Sequence, residues 1–262
     1  MHLVDSHCHL DMLDITADGG NIQPTLTRAQ EQGVIHLLNV CVKMSDFPAV
    51  LRMAEQHPQV SASVGLHPNE QAEEVDTETL IKLGNHPKVV AVGETGLDYF
   101  RSTGDLTWQQ DRFRVHIRAA KALGIPIIVH TRQAKEDTMR ILREEGANEV
   151  GGVMHCFTED WEMAQQALDL NFYISFSGVV TFKNAAVIQD SAKYVPLNCM
   201  LLETDAPYLA PEPRRGHPNQ PAYVRHTAKF IATLRNIEVN QLAEQTTKNF
   251  FTLFKKANQA HV

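Results

Sequence analysis

Eight short apolar runs recur along the chain, at Leu3 to Cys8, Ile35 to Val42, Val60 to Leu66, Val89 to Gly93, Ile125 to Val129, Gly152 to His155, Phe172 to Phe176 and Met200 to Leu202. They are mostly continuously apolar rather than alternating, which is the pattern of parallel strands covered by helices. Helical patterns with start and stop signals lie between them. Ser45 or Asp46 can cap a helix that has Pro48 in its first turn and closes at His57-Pro58. Trp108 to Leu123 carries an apolar stripe and ends at Gly124; Lys135 to Glu145 ends at Gly146, and Asp160 to Leu170 ends near Asn171. Two further helical stretches, Ala222 to Arg235 and Val239 to Lys255, follow a Pro-rich loop from Pro207 to Pro221.

This alternation in 262 residues predicts an α/β fold, a TIM-type (β/α)₈ barrel formed as a single domain over 1–262. A doubly wound open sheet is the alternative arrangement of the same elements. No run reaches the ~20 apolar residues that cross a bilayer, and the N-terminus lacks the basic and apolar regions of a secretory signal. The expectation is a cytoplasmic monomer without membrane contact. Cys8, Cys41, Cys156 and Cys199 form no CxxC pair and read as reduced, buried thiols. Strand alternation is expected to turn Cys8 and Cys156 away from their histidine neighbours. A formal charge of -7 argues against a protein that coats nucleic acid, although it leaves room for a nuclease with a local basic patch.

The polar residues that interrupt or end these runs carry the chemistry. His7 and His9 close the first, His67 follows the third, Glu94 the fourth, His130 the fifth, His155 ends the sixth and Asp205 follows the eighth. In a barrel the C-terminal strand ends meet on one rim, so these residues converge. Any one of them alone is compatible with a structural role; the coincidence of metal-binding types at so many strand ends is not. His7 and His9, at i and i+2 of a strand, share a face and can grip one ion. Imidazole and carboxylate donors without thiolates suit divalent zinc or manganese, with magnesium preferring more oxygen. Four histidines and two carboxylates exceed what one open catalytic ion uses, which points to two divalent ions per chain.

At these residues the chain resembles the TatD family of metal-dependent deoxyribonucleases, which are amidohydrolase-like barrels. The motifs are VDSHCHLD at 4–11, GLHP at 65–68, GETGLDY at 93–99, PIIVHTR at 126–132, MHCF at 154–157 and LLETDAPYLAP at 201–211, with the RG and NxP beyond. The resemblance implies that His7, His9 and Asp205 bind one metal, that His130 and His155 bind the other, and that Glu94 bridges them. It implies a place beside the site for His67, in contact with substrate or in proton transfer. The catalytic expectation is that Glu94 and Asp205 act at the metals, with Asp205 deprotonating the attacking water and His67 protonating the departing oxygen. The fourth run delivers Glu94 without the lysine used by dihydroorotase-like relatives, which counts against a cyclic amide substrate.

Arg101, Arg132 and Arg214 lie in the loops after these strands and can bind phosphate, as the planar guanidinium suits phosphate oxygens. Tyr99, Phe100 and Tyr208 lie in the same loops and can stack on a base or pack the loops. With so few basic groups, the expected partner is single-stranded DNA or a strand end, and the resemblance implies an exonuclease acting 3′ to 5′. Two other readings remain open: a hydrolase of a small lactone or an aminoacyl-tRNA ester, and a non-catalytic protein that keeps metal for stability.

Overall fold

A computed structural model describes residues 1–258. Eight parallel strands follow one another around a single sheet: β1 (Leu3–Cys8), β2 (Val34–Asn39), β3 (Val60–Val64), β4 (Val89–Asp98), β5 (Ile127–Arg132), β6 (Gly152–Met154), β7 (Phe172–Phe176) and β8 (Met200–Leu202). Backbone bonds from Asp205 to the His7 carbonyl (2.9 Å) and from His9 to the Ala206 carbonyl (2.8 Å) bring the last strand end against the first. Asp5 reinforces that seam by accepting from the Thr204 backbone at 2.8 Å and hydroxyl at 2.6 Å. The result is the TIM-type barrel expected from the sequence, in one domain.

The helices α1 (Gln23–Glu31), α2 (Phe47–Gln56), α3 (Thr77–Gly84), α4 (Thr107–Leu123), α5 (Lys135–Glu144), α6 (Trp161–Leu168), α7 (Ala186–Tyr194), α8 (Val224–Arg235), α9 (Val239–Leu253) and α10 (Lys255–Asn258) form the shell. Punctuation works as the sequence suggests: Asp160 accepts from the Met163 backbone to cap α6, and Gly124 ends α4 at φ 64°. No described helix is long and apolar enough to cross a membrane.

Two apolar clusters divide the strands' faces. Leu3, Leu37, Val92, Ile127, Val129, Met154, Ile174 and Leu202 pack outward against the helices. Val4, Leu38, Val90, Ile128, Val153 and Leu201 fill the barrel, where Phe250, Phe254 and Ala257 of the C-terminal helices plug the end at which the strands begin. Farther along the interior the side chains become polar, first with the Ser6–Ser175 hydroxyl pair and then with the histidines and carboxylates.

Two local departures aim the chemistry. The β1–β2 register is irregular between Asp5 and Cys8, and Cys8 joins the outer cluster instead of the inner one. Strict alternation from inward Val4 would have turned His7 outward; the irregularity lets His7 and His9 face the rim together. Strand β4 also runs beyond the apolar stretch ending at Gly93, so Glu94 lies within the strand and Asp98 ends it. This continuation is allowed by Gly96, at φ 134°, where a Cβ would lie only 2.0 Å from the His130 carbonyl.

Candidate metal centre

The strand ends bring all six expected metal-binding residues, and His67, into one cluster. Glu94 lies at its middle. One carboxylate oxygen is 3.3 Å from His7 Nε2; the other is 3.1 Å from His130 Nδ1, 3.5 Å from His67 Nε2 and 3.6 Å from His155 Nε2. Asp205 Oδ1 is 3.4 Å from His9 Nε2, 3.8 Å from His7 Nε2 and 3.9 Å from His155 Nε2. Donor atoms of His7, His9 and Glu94 form one compact group, and those of His67, Glu94 and His130 another.

The far sides of the rings decide what each imidazole offers. His9 Nδ1 donates to the Val40 carbonyl at 2.9 Å, leaving the Nε2 lone pair toward Asp205 in the neutral ring. His155 Nδ1 lies 2.9 Å from Glu203, and His130 Nε2 lies 3.1 Å from Asp98, which leaves Nε2 of the former and Nδ1 of the latter toward the centre. His67 is opposite: its Nδ1 accepts from the Asn69 backbone at 3.1 Å, so neutral His67 carries its proton on Nε2, toward Glu94. In their neutral form three rings would therefore present lone pairs to an ion, and His67 presents a proton. This separates three expected ligands from the expected proton donor by hydrogen bonding alone.

Burial would raise the pKa of Glu94, but the surrounding imidazoles outweigh it and hold the group well below its ordinary value. Asp205 is likewise lowered despite burial, mainly by His9 and His155. Burial would lower His155, yet Glu203 and Glu94 push it up to about 10. Buried carboxylates and imidazoles here balance one another's charge through protons. A divalent cation can take the protons' place, and inward lone pairs on nitrogen and oxygen are the donor chemistry that such an ion requires.

Asp98 and Glu203 belong to the site although neither stands out in the sequence. Asp98 holds His130, accepts from Asn69 Nδ2 at 2.9 Å, and accepts from the backbones of Phe100 at 3.0 Å and Arg101 at 2.9 Å. Glu203 holds His155 and accepts from the Cys156 backbone at 2.7 Å. Asp98 lies two alternations from Glu94 along β4, so the period of the strand was its available signal, whereas Glu203 lies beyond the end of β8 and had none. Cys156 corrects the expectation from alternation. The β6 strand stops at Met154, Cys156 turns to φ 44°, and its thiol comes within donor range of His155 and Asp205. Cys8 does face away, into the outer core.

A cleft of about 820 Å³ opens above the centre. Arg101, Arg132 and Tyr208 line it. Arg214 is not among its lining residues; its guanidinium lies 5.5 Å over the Tyr223 ring. Tyr99 is a packing residue, its hydroxyl bonded to Asp137 at 2.8 Å, while Phe100 is exposed under the Arg132 guanidinium, 3.9 Å away.

A family model described as TatD related DNase matches residues 4–255. The chain belongs to the TatD family. It is 47% identical to the metal-dependent hydrolase YcfH of Escherichia coli (strain K12) over 254 residues, 97% of this chain and 96% of YcfH. It is 38% identical to the metal-dependent hydrolase YabD of Bacillus subtilis (strain 168), covering 97% of this chain and 99% of YabD. The crystal structure of YjjV, a TatD homologue from Escherichia coli K12, superposes with a TM-score of 0.87 at 28% identity, covering 97% of this chain and 98% of that one. As a member of the TatD family, this chain is a metal-dependent hydrolase.

Proposed function

We propose that this protein hydrolyses phosphodiester bonds of DNA with two divalent ions, trimming strand ends as an exonuclease, in the 3′ to 5′ direction. The observation that carries this reading is the placement of Arg101 and Arg132 on the cleft over the histidine–carboxylate cluster, with neither arginine in an ion pair among the described residues. Guanidinium groups left free beside such a cluster suit an anionic substrate. The description TatD related DNase supports the same substrate.

His7, His9 and Asp205 would hold one ion and His130 and His155 the other, with Glu94 shared. Bound divalent ions supply Lewis acidity, which polarises phosphoryl oxygens and makes water a better nucleophile near neutral pH. The chain's own groups do the rest. Asp205, at the cleft floor, accepts the proton of the attacking water. His67 Nε2–H hydrogen-bonds the departing sugar oxygen, as its tautomer permits, and steadies the charge that develops there until solvent water supplies the proton. Arg101 and Arg132 hold the phosphate, while Asp98 and Glu203 keep His130 and His155 aimed.

The test uses metal-stripped protein restored singly with Mg²⁺, Mn²⁺ or Zn²⁺ and incubated with end-labelled single-stranded DNA. A metal-dependent ladder of shortened products is expected, with the label's position giving the polarity. Intact DNA under every metal, together with hydrolysis of lactone or aminoacyl esters, would overturn the proposal.

A further inference from the structure

The cleft has two unlike walls. The loops after β3, β4 and β5 contribute Asn69, Arg101 and Arg132, whereas those after β7, β8 and β1 contribute Val179, Phe182, Tyr208, Leu209 and Met12. Because the strands follow in order around the barrel, these two arcs face each other across the centre. The first arc is cationic. Lys43, between the arcs, is already neutralised by Glu70 at 3.2 Å, so the free charge lies with the two arginines. The second arc is apolar and aromatic.

The aromatic rings near the rim are not equivalent. Phe100 is covered by Arg132, and Phe182 by Arg215 at 4.2 Å. Tyr208 is 53% exposed, and among the described residues no guanidinium lies over it. Its ring approaches His9 at 6.3 Å between centroids. It is also held in place. The Tyr208 backbone donates to the Asp205 carbonyl at 2.8 Å, and buried Asn219 donates to the carbonyls of both Tyr208 and Thr204. The sequence thus fixes an open aromatic surface three residues beyond a metal ligand, with free positive charge on the opposite wall.

We propose that the cleft binds the two halves of a nucleotide on opposite walls, the phosphodiester on Arg101 and Arg132 and the terminal base stacked on Tyr208. The inference rests on the DNA reading above and adds to it a subsite for the terminal base, formed by the Tyr208 ring. Stacking on an aromatic ring is open to any base, so the site is tolerant of sequence. A base in a duplex already spends both faces and its pairing edge within the helix, and it must be freed before it can reach Tyr208.

The experiment uses the full-length metal-loaded protein and two internally labelled single strands. They are identical except that the terminal residues at both ends carry either thymine or an abasic tetrahydrofuran. The quantity read is the ratio of kcat/KM on the thymine-ended strand to that on the abasic-ended strand. Tyr208→Ala is expected to lower this ratio about tenfold, and Tyr208→Phe to keep it within about twofold. Arg132→Ala is expected to lower both rates and leave the ratio unchanged. A merely structural role for Tyr208, acting through His9 or Asp205, would depress both substrates together; an unchanged ratio in Tyr208→Ala therefore overturns the inference. A ratio altered by Arg132→Ala overturns the division between walls. If the wild-type protein leaves both strands intact under every metal, the DNA reading itself has failed, which is a different result from either.

Discussion

The two ends of the barrel are built on different principles. At the end where the strands begin, Phe250, Phe254 and Ala257 press on Val4, Leu38, Val90, Ile128, Val153 and Leu201. These contacts have no direction, and any set of side chains of similar volume would seal the barrel nearly as well. At the other end nearly every side chain has an assigned partner atom: His9 with Val40, His130 with Asp98, His155 with Glu203. Stability is invested at the first end and specificity at the second. Substitutions at one end should therefore leave the property of the other almost untouched.

The sharpest way to break this comparison is at Glu94. Glu94→Ala is expected to lower kcat/KM by about a thousandfold or more, because it removes the carboxylate common to both donor groups. The melting temperature of the metal-free variant, measured by circular dichroism, should fall only slightly below that of the metal-free wild type, because the imidazoles that lose Glu94 as counter-charge can shed their protons. The mirror substitution is Phe250→Ala. It should cost about 3–5 kcal/mol in urea unfolding while kcat of the remaining folded protein changes less than about twofold. A large loss of kcat there would mean that the two ends are coupled.

His116 sharpens the comparison within one residue type. Fully buried on α4, it accepts from the Leu66 backbone at 3.0 Å and donates to the Arg112 carbonyl at 2.8 Å, with no carboxylate beside it. Burial pushes its pKa from the ordinary 6.5 down to about 4. The unfolded chain takes up a proton near pH 6.5 and the folded one only near 4. Stability from this residue is thus fully present above 6.5 and is lost as pH falls through that window, by up to about 3 kcal/mol. Urea titrations from pH 7 to 4 should show a shallower decline in His116→Gln than in wild type; parallel curves would show that the imidazole does not resist protonation. The smallest effect is expected at the carboxylates behind the ligands. Asp98→Asn and Glu203→Gln should each lower metal affinity or kcat/KM by about 10–100-fold, read by metal titration and by rate.

Much of this was legible in the sequence. The β7 and β8 runs match their strands, and the six expected ligands converge because strand ends in a barrel must converge. What escaped has physical reasons. The continuous apolar pattern stops at Gly93 because Glu94 and Asp98, on the inward face of the rest of β4, meet the polar rim while only Leu97 packs outward, so Asp98 read as loop. Glu203 was hidden beside a stronger candidate, Asp205. Helix α1 buries only Thr25, Leu26 and Ala29, too few to form a visible stripe. Arg112 gave no signal either, since its role depends on a loop distant in sequence. It lies under Trp108 and donates to the carbonyls of His67, Glu70 and Glu73 and to the Glu74 carboxylate, bracing the loop that carries His67. Alternation failed for Cys156 because the strand had ended two residues earlier.

The seam between β1 and the end of β8 has a consequence for how the molecule is made. His9 is synthesised some two hundred residues before Asp205 and the seam that pairs it with His7. A chain that stops before Asp205 lacks part of the expected donor set. Metal capture by these donors would thereby be tied to the finishing of the barrel, so that an ion held by His7, His9 and Asp205 would act as a clasp between the first and last strands, and products cut short before Asp205 would be left without it.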